Sequence, residues 1–390
     1  MNILYFCVPP LLDYSIEQIN DLKKHVDLHV VIGVSLHSPN HTIFKLKDTH
    51  PEKDLYAFDE IKEHIENPEL FESYLSGCKS VHLVFFSPKF GMNILFTNFK
   101  LVRLLNQIKP QLIHFDDISG RLSVFTLMLR NKKIVLNVHD PAPHSGEETW
   151  SSSLIRKLVY RKVNVFCTFS NFSKLLFEQI YQPRVPVVSL RLVPYLSYNF
   201  FQRKKIEEID KKPGDQYLLF FGRISPYKGI DELLGAFAHI HRQFPHLKLI
   251  VAGRGNYAYQ IPEELRNSSA LILLNRFIRE DEIKSLFGIS DVLICPYRDA
   301  TQSGVLMTAR VFELPVIASN VGAMPEYILD GKDGLVYDVN DTQALERTLL
   351  NYLNEGATEK IKSRLEDNRD LAGNTNKLLS VYQSILDKKH

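Results

Sequence analysis

The sequence predicts an α/β protein of two successive domains, each a parallel sheet with helices on both faces. Three observations predict it. Short apolar runs of strand length alternate with amphipathic stretches of helical period along most of the chain. Those runs are nearly continuous in Val, Ile, Leu and Phe instead of alternating with polar residues, which is the pattern of strands buried on both faces. A charged stretch between residues 202 and 216, ending in Pro213-Gly214, interrupts the alternation once and divides it in two.

In order, the first half offers strands at Ile3 to Cys7, Leu28 to Val34, Val81 to Phe86, Leu112 to Phe115, Ile134 to Val138, Val163 to Phe169 and Val187 to Val193. Amphipathic stretches such as Ile16 to His25 and Phe99 to Ile108 lie between them. These elements give a first domain over residues 1–200 and a linker over 201–216. The second alternation opens with the strand Tyr217 to Phe221 and gives a domain over 217–365. From Asn374 to Lys389 the residues Leu378, Leu379, Val381, Tyr382, Ile385 and Leu386 recur at helical spacing, so 366–390 reads as a terminal helix.

Composition narrows the function classes. The chain has 390 residues, 45% hydrophobic and 24% charged, enough for two cores of ordinary size. A net charge of +2 argues against a nucleic-acid binder. The four cysteines, Cys7, Cys78, Cys167 and Cys295, stand far apart, and three lie inside apolar runs, as expected of buried free thiols in a reducing compartment. No CxxC or HExxH spacing occurs, so no metal site is expected. The N-terminus is a short strand stopped by Pro9 and Pro10, without the charged and long apolar regions of a signal peptide. No run approaches the roughly 20 apolar residues of a membrane span. A cytoplasmic location follows as an expectation.

Residues Phe220 to Gly229 carry the clearest chemistry. The strand stops at Gly222, where the backbone bends without a Cβ penalty, and the turn delivers Arg223 and Lys228 to one place. The helix opening near Ile230 aims its free N–H groups and positive dipole end at the same spot. This is the layout of a pyrophosphate clamp; the alternative is a surface turn with two solvated cations.

A series of segments follows in order: Leu247 to Asn256, which contains Gly253; Leu271 to Leu274; Asn275 to Ile283, with Phe277 and Ile278; Ser290 to Tyr297; and Leu314 to Glu326. With the clamp, this ordered series resembles the nucleotide-binding half of the retaining glycosyltransferases of family 4, which have the GT-B architecture. The resemblance covers the second half of the chain far better than the first. It implies two Rossmann-like parallel-sheet domains facing a cleft, with the terminal helix packing back on the first domain. It also implies a nucleotide-diphosphate sugar donor, and a glycan or lipid-linked acceptor as in surface polysaccharide synthesis. No cofactor and no obligatory metal are implied.

Site residues carry over position by position. Gly222, Arg223, Lys228, Gly253, Phe277 and Ile278 fall in the donor-binding segments, and base readout in this family runs largely through backbone groups near Arg276 to Ile278. Relatives carry Glu-x7-Glu before the helix that precedes the Pro-Val-Ile strand. Counting back from Pro315 places Ala300 and Thr308 there, neither of them acidic. The segment reads Ala300-Thr301-Gln302-Ser303-Gly304-Val305 instead, and the amides of Ser303, Gly304 and Val305 at the start of a helix remain able to cradle phosphate. Thr308 is left as a neutral partner for a ribose hydroxyl, weaker than a carboxylate. Gln302 and Glu326 stand as candidates for the missing acidic role. In place of the glycine-rich loop that many relatives carry after the first strand, this chain has Val8 to Tyr14, where two prolines remove two N–H donors.

In the first domain, His139 and Asp140 follow the strand ending at Val138. The resemblance makes His139 the residue that faces the donor sugar, and a capped turn is the other reading. Asp116 and Asp117 end the strand Leu112 to Phe115, either as holders of a metal or acceptor hydroxyl, or as an Asx-type cap of a helix starting near Gly120. Trp150 to Lys162 combines an aromatic, aliphatics and four cations, fit for peripheral contact with the cytoplasmic face of a membrane or for an ordinary helix packed on the sheet.

The expected function is a retaining glycosyltransferase with His139, Arg223 and Lys228 as catalytic residues. Two rivals stand beside it: a nucleotide-sugar epimerase on the same architecture, and a non-catalytic sugar-nucleotide-binding or scaffold relative, favoured by the loss of both glutamates.

Overall fold

The structure is a computed structural model of the chain, and it describes residues 1–38, 40–48, 51–87, 92–118, 120–142, 157–354 and 370–388. The chain divides into two compact units. The first comprises Met1–Val193 together with the C-terminal helix Asp370–Asp387, and the second begins at Pro194.

The first unit is an eight-stranded sheet. In chain order its strands are β1 (Asn2–Cys7), β2 (Asp27–Ser35), β3 (Leu55–Ala57), β4 (Ser80–Phe86), β5 (Leu112–Phe115), β6 (Lys133–Asn137), β7 (Val165–Thr168) and β8 (Val187–Ser189). The spatial order is β3-β4-β2-β1-β5-β6-β7-β8. Each neighbouring pair is parallel except β3 with β4. The short edge strand β3 carries no apolar run and was not expected from the sequence. Chain order reverses between β1 and β5, and in open α/β sheets ligands sit at such a reversal, outside the carboxyl ends of the strands.

Leu4, Phe6, Val31, Ile113, Phe115, Leu136 and Phe166 form the centre of one face of this unit. The C-terminal helix buries Leu378, Tyr382 and Ile385. It is pinned to the sheet side by side-chain bonds: Asn374 Nδ2 donates to Arg191 O at 2.6 Å, and Gln18 Nε2 to Thr375 Oγ1 at 3.1 Å.

The second unit contains β9 (Gln216–Phe221), β10 (Leu247–Ala252), β11 (Leu271–Leu274), β12 (Val292–Cys295), β13 (Val316–Ser319) and β14 (Gly334–Tyr337). Its order is β11-β10-β9-β12-β13-β14, all parallel. Numbered within the sheet this is 3-2-1-4-5-6, the doubly wound order of dinucleotide-binding folds, with the reversal between β9 and β12. Helix Ile230–Ile240 buries Leu233, Leu234 and Phe237 over Leu218, Phe220, Leu249 and Val251.

One boundary differs from the sequence reading. The stretch 201–216 is not a free linker but is laid on the second unit. Ile206 and Ile209 are buried. Lys204 N donates to Asp281 O at 3.3 Å, and Ser285 Oγ to Lys204 O at 2.5 Å, which fastens the strip to helix Glu280–Ile289. Every charged residue of the stretch except Asp215 is exposed, and these charges mask Ile206 and Ile209 as anchors.

Candidate active site

At the reversal of the second sheet two loops meet. The loop after β9 runs from Gly222 to Gly229, and that after β12 from Pro296 to Ser303. Arg298 N donates to Tyr227 O at 2.7 Å, joining them. Gly229, the N-cap of helix Ile230–Ile240, has φ +68°, and a Cβ there would stand 1.7 Å from Pro296 O. Gly229→Ala therefore combines a strained left-handed residue with a backbone overlap. It is expected to cost more than about 2 kcal/mol of stability and to push the two loops apart. Urea unfolding checks this; a variant as stable as wild type would refute the close approach.

The two cations of the expected clamp are not equivalent. Lys228 is only 8% exposed, with its Nζ 3.7 Å from the centroid of the Tyr297 ring and 5.3 Å from that of Tyr227. Lysine is seldom so buried. Arg223 is exposed. It follows Gly222, where an added Cβ would touch Val305 Cγ2 at 3.6 Å, so the turn lies against the first turn of helix Gly304–Val311. Ser303 is the N-cap of that helix and its side chain makes no capping hydrogen bond, which leaves first-turn N–H groups for another acceptor. The structure thus brings Gly222, Arg223, Ser303, Gly304 and Val305 together, with Lys228 further along the same loop as Arg223.

Other expected donor residues fall around this centre. Gly253 follows β10 with φ +146°, and a Cβ there would lie 1.8 Å from Gly222 O. Gln302 is half-buried beside the N-cap. Thr308 is buried one turn into the helix, and its hydroxyl donates to Gly304 O at 3.3 Å, so it presents a neutral oxygen already engaged with the backbone. Phe277 is exposed and Ile278 buried. Arg276 between β11 and Phe277 is committed to structure: its guanidinium is held in bidentate fashion by Glu282 at 2.8 and 2.9 Å and meets Glu208 at 3.1 Å. Ala300, where the family 4 resemblance expects an acid, is buried. Its carbonyl accepts from Ala323 N at 3.1 Å, so the loop leading to Glu326 is tied to it.

At the reversal of the first sheet lies a buried polar cluster. Asp116 is completely buried. Its Oδ1 accepts from Tyr5 OH at 2.9 Å and from Asn137 Nδ2 at 2.6 Å, and its Oδ2 accepts from Ser15 Oγ. His139 Nε2 is 3.8 Å from Asp116 Oδ1. The His139 ring packs against Phe169 at 4.6 Å and edge-on to Tyr14 at 6.0 Å. Burial alone would raise the Asp116 pKa, but the His139 imidazole and the Ser15 hydroxyl outweigh it and hold the carboxyl below its usual value. Both carboxylate oxygens of Asp116 accept hydrogen bonds from side chains of other elements. The cluster continues through Asn137 to His114 at 2.9 Å and from His114 to Tyr382 on the C-terminal helix at 2.5 Å. Burial pushes the His114 pKa down.

The stretch proposed for membrane contact is only partly visible, since 143–156 lie outside the described residues. Lys162 is not a free surface cation. Its Nζ donates to the carbonyls of Thr126, Leu127 and Leu129, closing the end of helix Gly120–Met128. Lys157 and Arg161 rim a groove lined by Tyr160, Phe177 and Tyr181. No described helix is long and apolar enough to cross a membrane.

Comparison with known proteins finds its family match in the second unit. Residues 201–370 match the family model of glycosyl transferases group 1. That stretch is somewhat under half of the chain and contains every candidate donor residue named above. Over 155 residues the chain is 30% identical to alpha-maltose-1-phosphate synthase of Mycolicibacterium smegmatis, covering 37% of this chain and 39% of that protein. It therefore spans about two fifths of that relative's length. A longer match, 25% identical over 307 residues, covers 72% of this chain and 74% of the putative glycosyltransferase YtcC of Bacillus subtilis. Among solved structures, Anabaena HepE in complex with UDP and glucose superposes with a TM-score of 0.67 at 14% identity, covering 98% of this chain and 100% of that one. The fold of this chain is GT-B, with two parallel-sheet α/β units.

Tyr297 is the residue that the sequence reading missed within the group 1 stretch. It ends a predictable strand, but its meeting with Lys228 joins loops far apart in sequence, and no local pattern announces it.

Proposed function

We propose that the chain is a retaining glycosyltransferase that moves a sugar from a nucleotide-diphosphate donor to a glycan or glycolipid acceptor, in surface polysaccharide synthesis at the cytoplasmic face of a membrane. The observation that carries the reading is the placing of Arg223 beside the uncapped start of helix Gly304–Val311, on the loop that also holds buried Lys228, at the strand-order reversal of the group 1 stretch. The complexes of HepE with UDP and with UDP-glucose support a nucleotide donor of this kind.

In this mechanism the bond between the anomeric carbon and the donor phosphate oxygen breaks while the acceptor oxygen bonds to the same carbon from the same face. The acceptor proton passes to the departing phosphate. Lys228, Arg223 and the first-turn N–H groups face the charge that grows on the leaving diphosphate, and fixed donors in a poorly solvated site stabilise it without reorganising. Gly222, Gly253, Phe277, Ile278, Gln302 and Thr308 complete the donor side, and His139 is the residue that the resemblance assigns to the sugar. Asp116 keeps a negative charge 3.8 Å from His139 Nε2, of the sign that offsets oxocarbenium-like charge on the sugar.

Because side chains and N–H groups supply the compensating charge, turnover is expected to need no metal. The test is incubation with a panel of UDP-, GDP- and ADP-sugars, with and without EDTA, following nucleoside diphosphate release. Release with at least one donor, undiminished by EDTA, is the expected result. Loss of release in EDTA, restored by Mg²⁺ or Mn²⁺, would overturn the metal-free mechanism. The substitution of both family acids by Ala300 and Thr308 favours a second reading, a binding relative without turnover. Calorimetric binding of UDP or GDP with no release from any donor would establish that reading instead.

A further inference from the structure

We propose that Tyr297 is a positioning residue for Lys228, its ring face fixing the ammonium where the anionic part of the donor binds. This rests on the donor-site reading above and names a determinant that the reading did not contain. The geometry is direct: Lys228 Nζ lies 3.7 Å from the Tyr297 ring centroid, a desolvated cation–π contact. The ring itself is 1% exposed and cannot swing away. Its backbone is held on two sides, because Tyr297 O accepts from Ser319 Oγ at 2.5 Å and the next residue, Arg298, donates its N–H to Tyr227 O at 2.7 Å. Tyr227 meets the ring edge-on, with centroids 6.5 Å apart. On the other loop, Lys228 is followed by Gly229, whose backbone lies against Pro296 O, the residue before Tyr297. Two close backbone approaches therefore fix the ring and the ammonium relative to each other.

A neutral aromatic face suits this task. Burial, first of all, pushes the Tyr297 phenol well above its usual pKa, so the ring stays uncharged and electron-rich across the working range. A carboxylate in its place would neutralise the lysine and repel a diphosphate. A ring face restrains the ammonium and adds no negative charge. Lysine has a long flexible stem, so a fixed platform removes most of its conformational freedom before the ligand arrives.

The test uses the full chain and two readouts. Calorimetric titration with UDP and GDP is run on wild type, Tyr297→Phe, Tyr297→Leu, Lys228→Ala and the double variant Tyr297→Leu/Lys228→Ala. Tyr297→Phe should bind within about twofold of wild type, Tyr297→Leu should lose roughly tenfold in affinity, and the double variant should bind no more weakly than Lys228→Ala alone. Equal losses in the Phe and Leu variants, or full additivity in the double variant, would overturn the proposal. The second readout needs no nucleotide: the rate at which Lys228 Nζ reacts with acetic anhydride, followed by mass spectrometry. The rate should rise several-fold in Tyr297→Leu and stay near wild type in Tyr297→Phe, and an unchanged rate in Tyr297→Leu would overturn the proposal on its own. Should Tyr297→Leu fail to fold, a ring-fluorinated phenylalanine at 297 keeps the shape while withdrawing charge from the face, and it should give the same loss of affinity and rise in rate relative to Tyr297→Phe. If wild type bound neither nucleotide, the donor reading would fall, while the acylation rates would still decide whether Tyr297 holds Lys228.

Discussion

Replacing Lys228 by alanine should lower turnover with the preferred sugar nucleotide by at least about 10²-fold, with little change in stability. Its ammonium is buried and held in place, so its interaction with a developing phosphate charge is little screened by water and needs little reorganisation. Removing it deletes an interaction that strengthens as the leaving group departs. The loss should therefore appear in kcat as well as in kcat/KM. Arg223 is exposed at the turn, and Arg223→Ala should fall more in kcat/KM than in kcat if the guanidinium chiefly captures the donor. Steady-state kinetics on the two variants separate these roles. A Lys228→Ala enzyme with near wild-type kcat would show that the buried cation takes no part in the chemistry.

The largest expected effect on stability belongs to Asp116. Asp116→Asn removes a charge that is completely buried and accepts from Tyr5, Asn137 and Ser15, and it sets an amide donor among donors. Breaking a buried pair by removing one partner typically costs about 3–5 kcal/mol, and a loss of that order is expected for the first unit. The pH dependence has a definite sign. The folded-state pKa of Asp116 lies below its unfolded value, so its contribution is fully present above the unfolded pKa and is lost as pH falls through the folded one. His114 acts in the same direction. Its folded pKa is also depressed, so the unfolded chain takes up a proton first as the solution is acidified below the ordinary histidine range. Wild type should lose stability in two stages, first as His114 is drawn toward protonation in the unfolded chain and then through the carboxylate range. The gap between wild type and Asp116→Asn should narrow in the second stage only. Urea midpoints measured from neutral to acid pH test this; a gap independent of pH would show that folding leaves the Asp116 pKa unchanged, and a gap that widened on acidification would show that it is raised.

What the sequence revealed follows from the range of the interactions involved. Strands such as Leu112–Phe115 and Val292–Cys295 are apolar runs, so their position can be read from neighbours in the chain. Glycine-bounded turns such as Gly222 to Gly229 are legible for the same reason, since backbone curvature is encoded locally. The strip 201–216 misled because charge dominates its composition while two isoleucines, Ile206 and Ile209, decide where it lies. The edge strand Leu55–Ala57 is too short to carry a period. The Asp116 cluster draws on Tyr5, Ser15 and Asn137, separated by 111, 101 and 21 positions. Such a constellation has no sequence signature, and only the fold shows that Asp116 is buried among these partners. The inequality of Lys228 and Arg223 was hidden likewise, because burial of one cation depends on Tyr297, a residue of another loop.

The docking of the C-terminal helix bears on the order in which the protein takes shape during synthesis. Domains usually acquire structure from the N-terminus onward as they leave the ribosome. Here the first unit lacks Leu378, Tyr382 and Ile385 for its interior, and His114 lacks its bond to Tyr382 and Arg191 its bonds to Asn374, until the helix Asp370–Asp387 has been made. The strands of the second unit, from β9 to β14, emerge before that and need none of those residues for their sheet. The half of the chain translated last is thus able to complete its core first, and the half translated first stays open to chaperones and proteases until the closing segment returns to it.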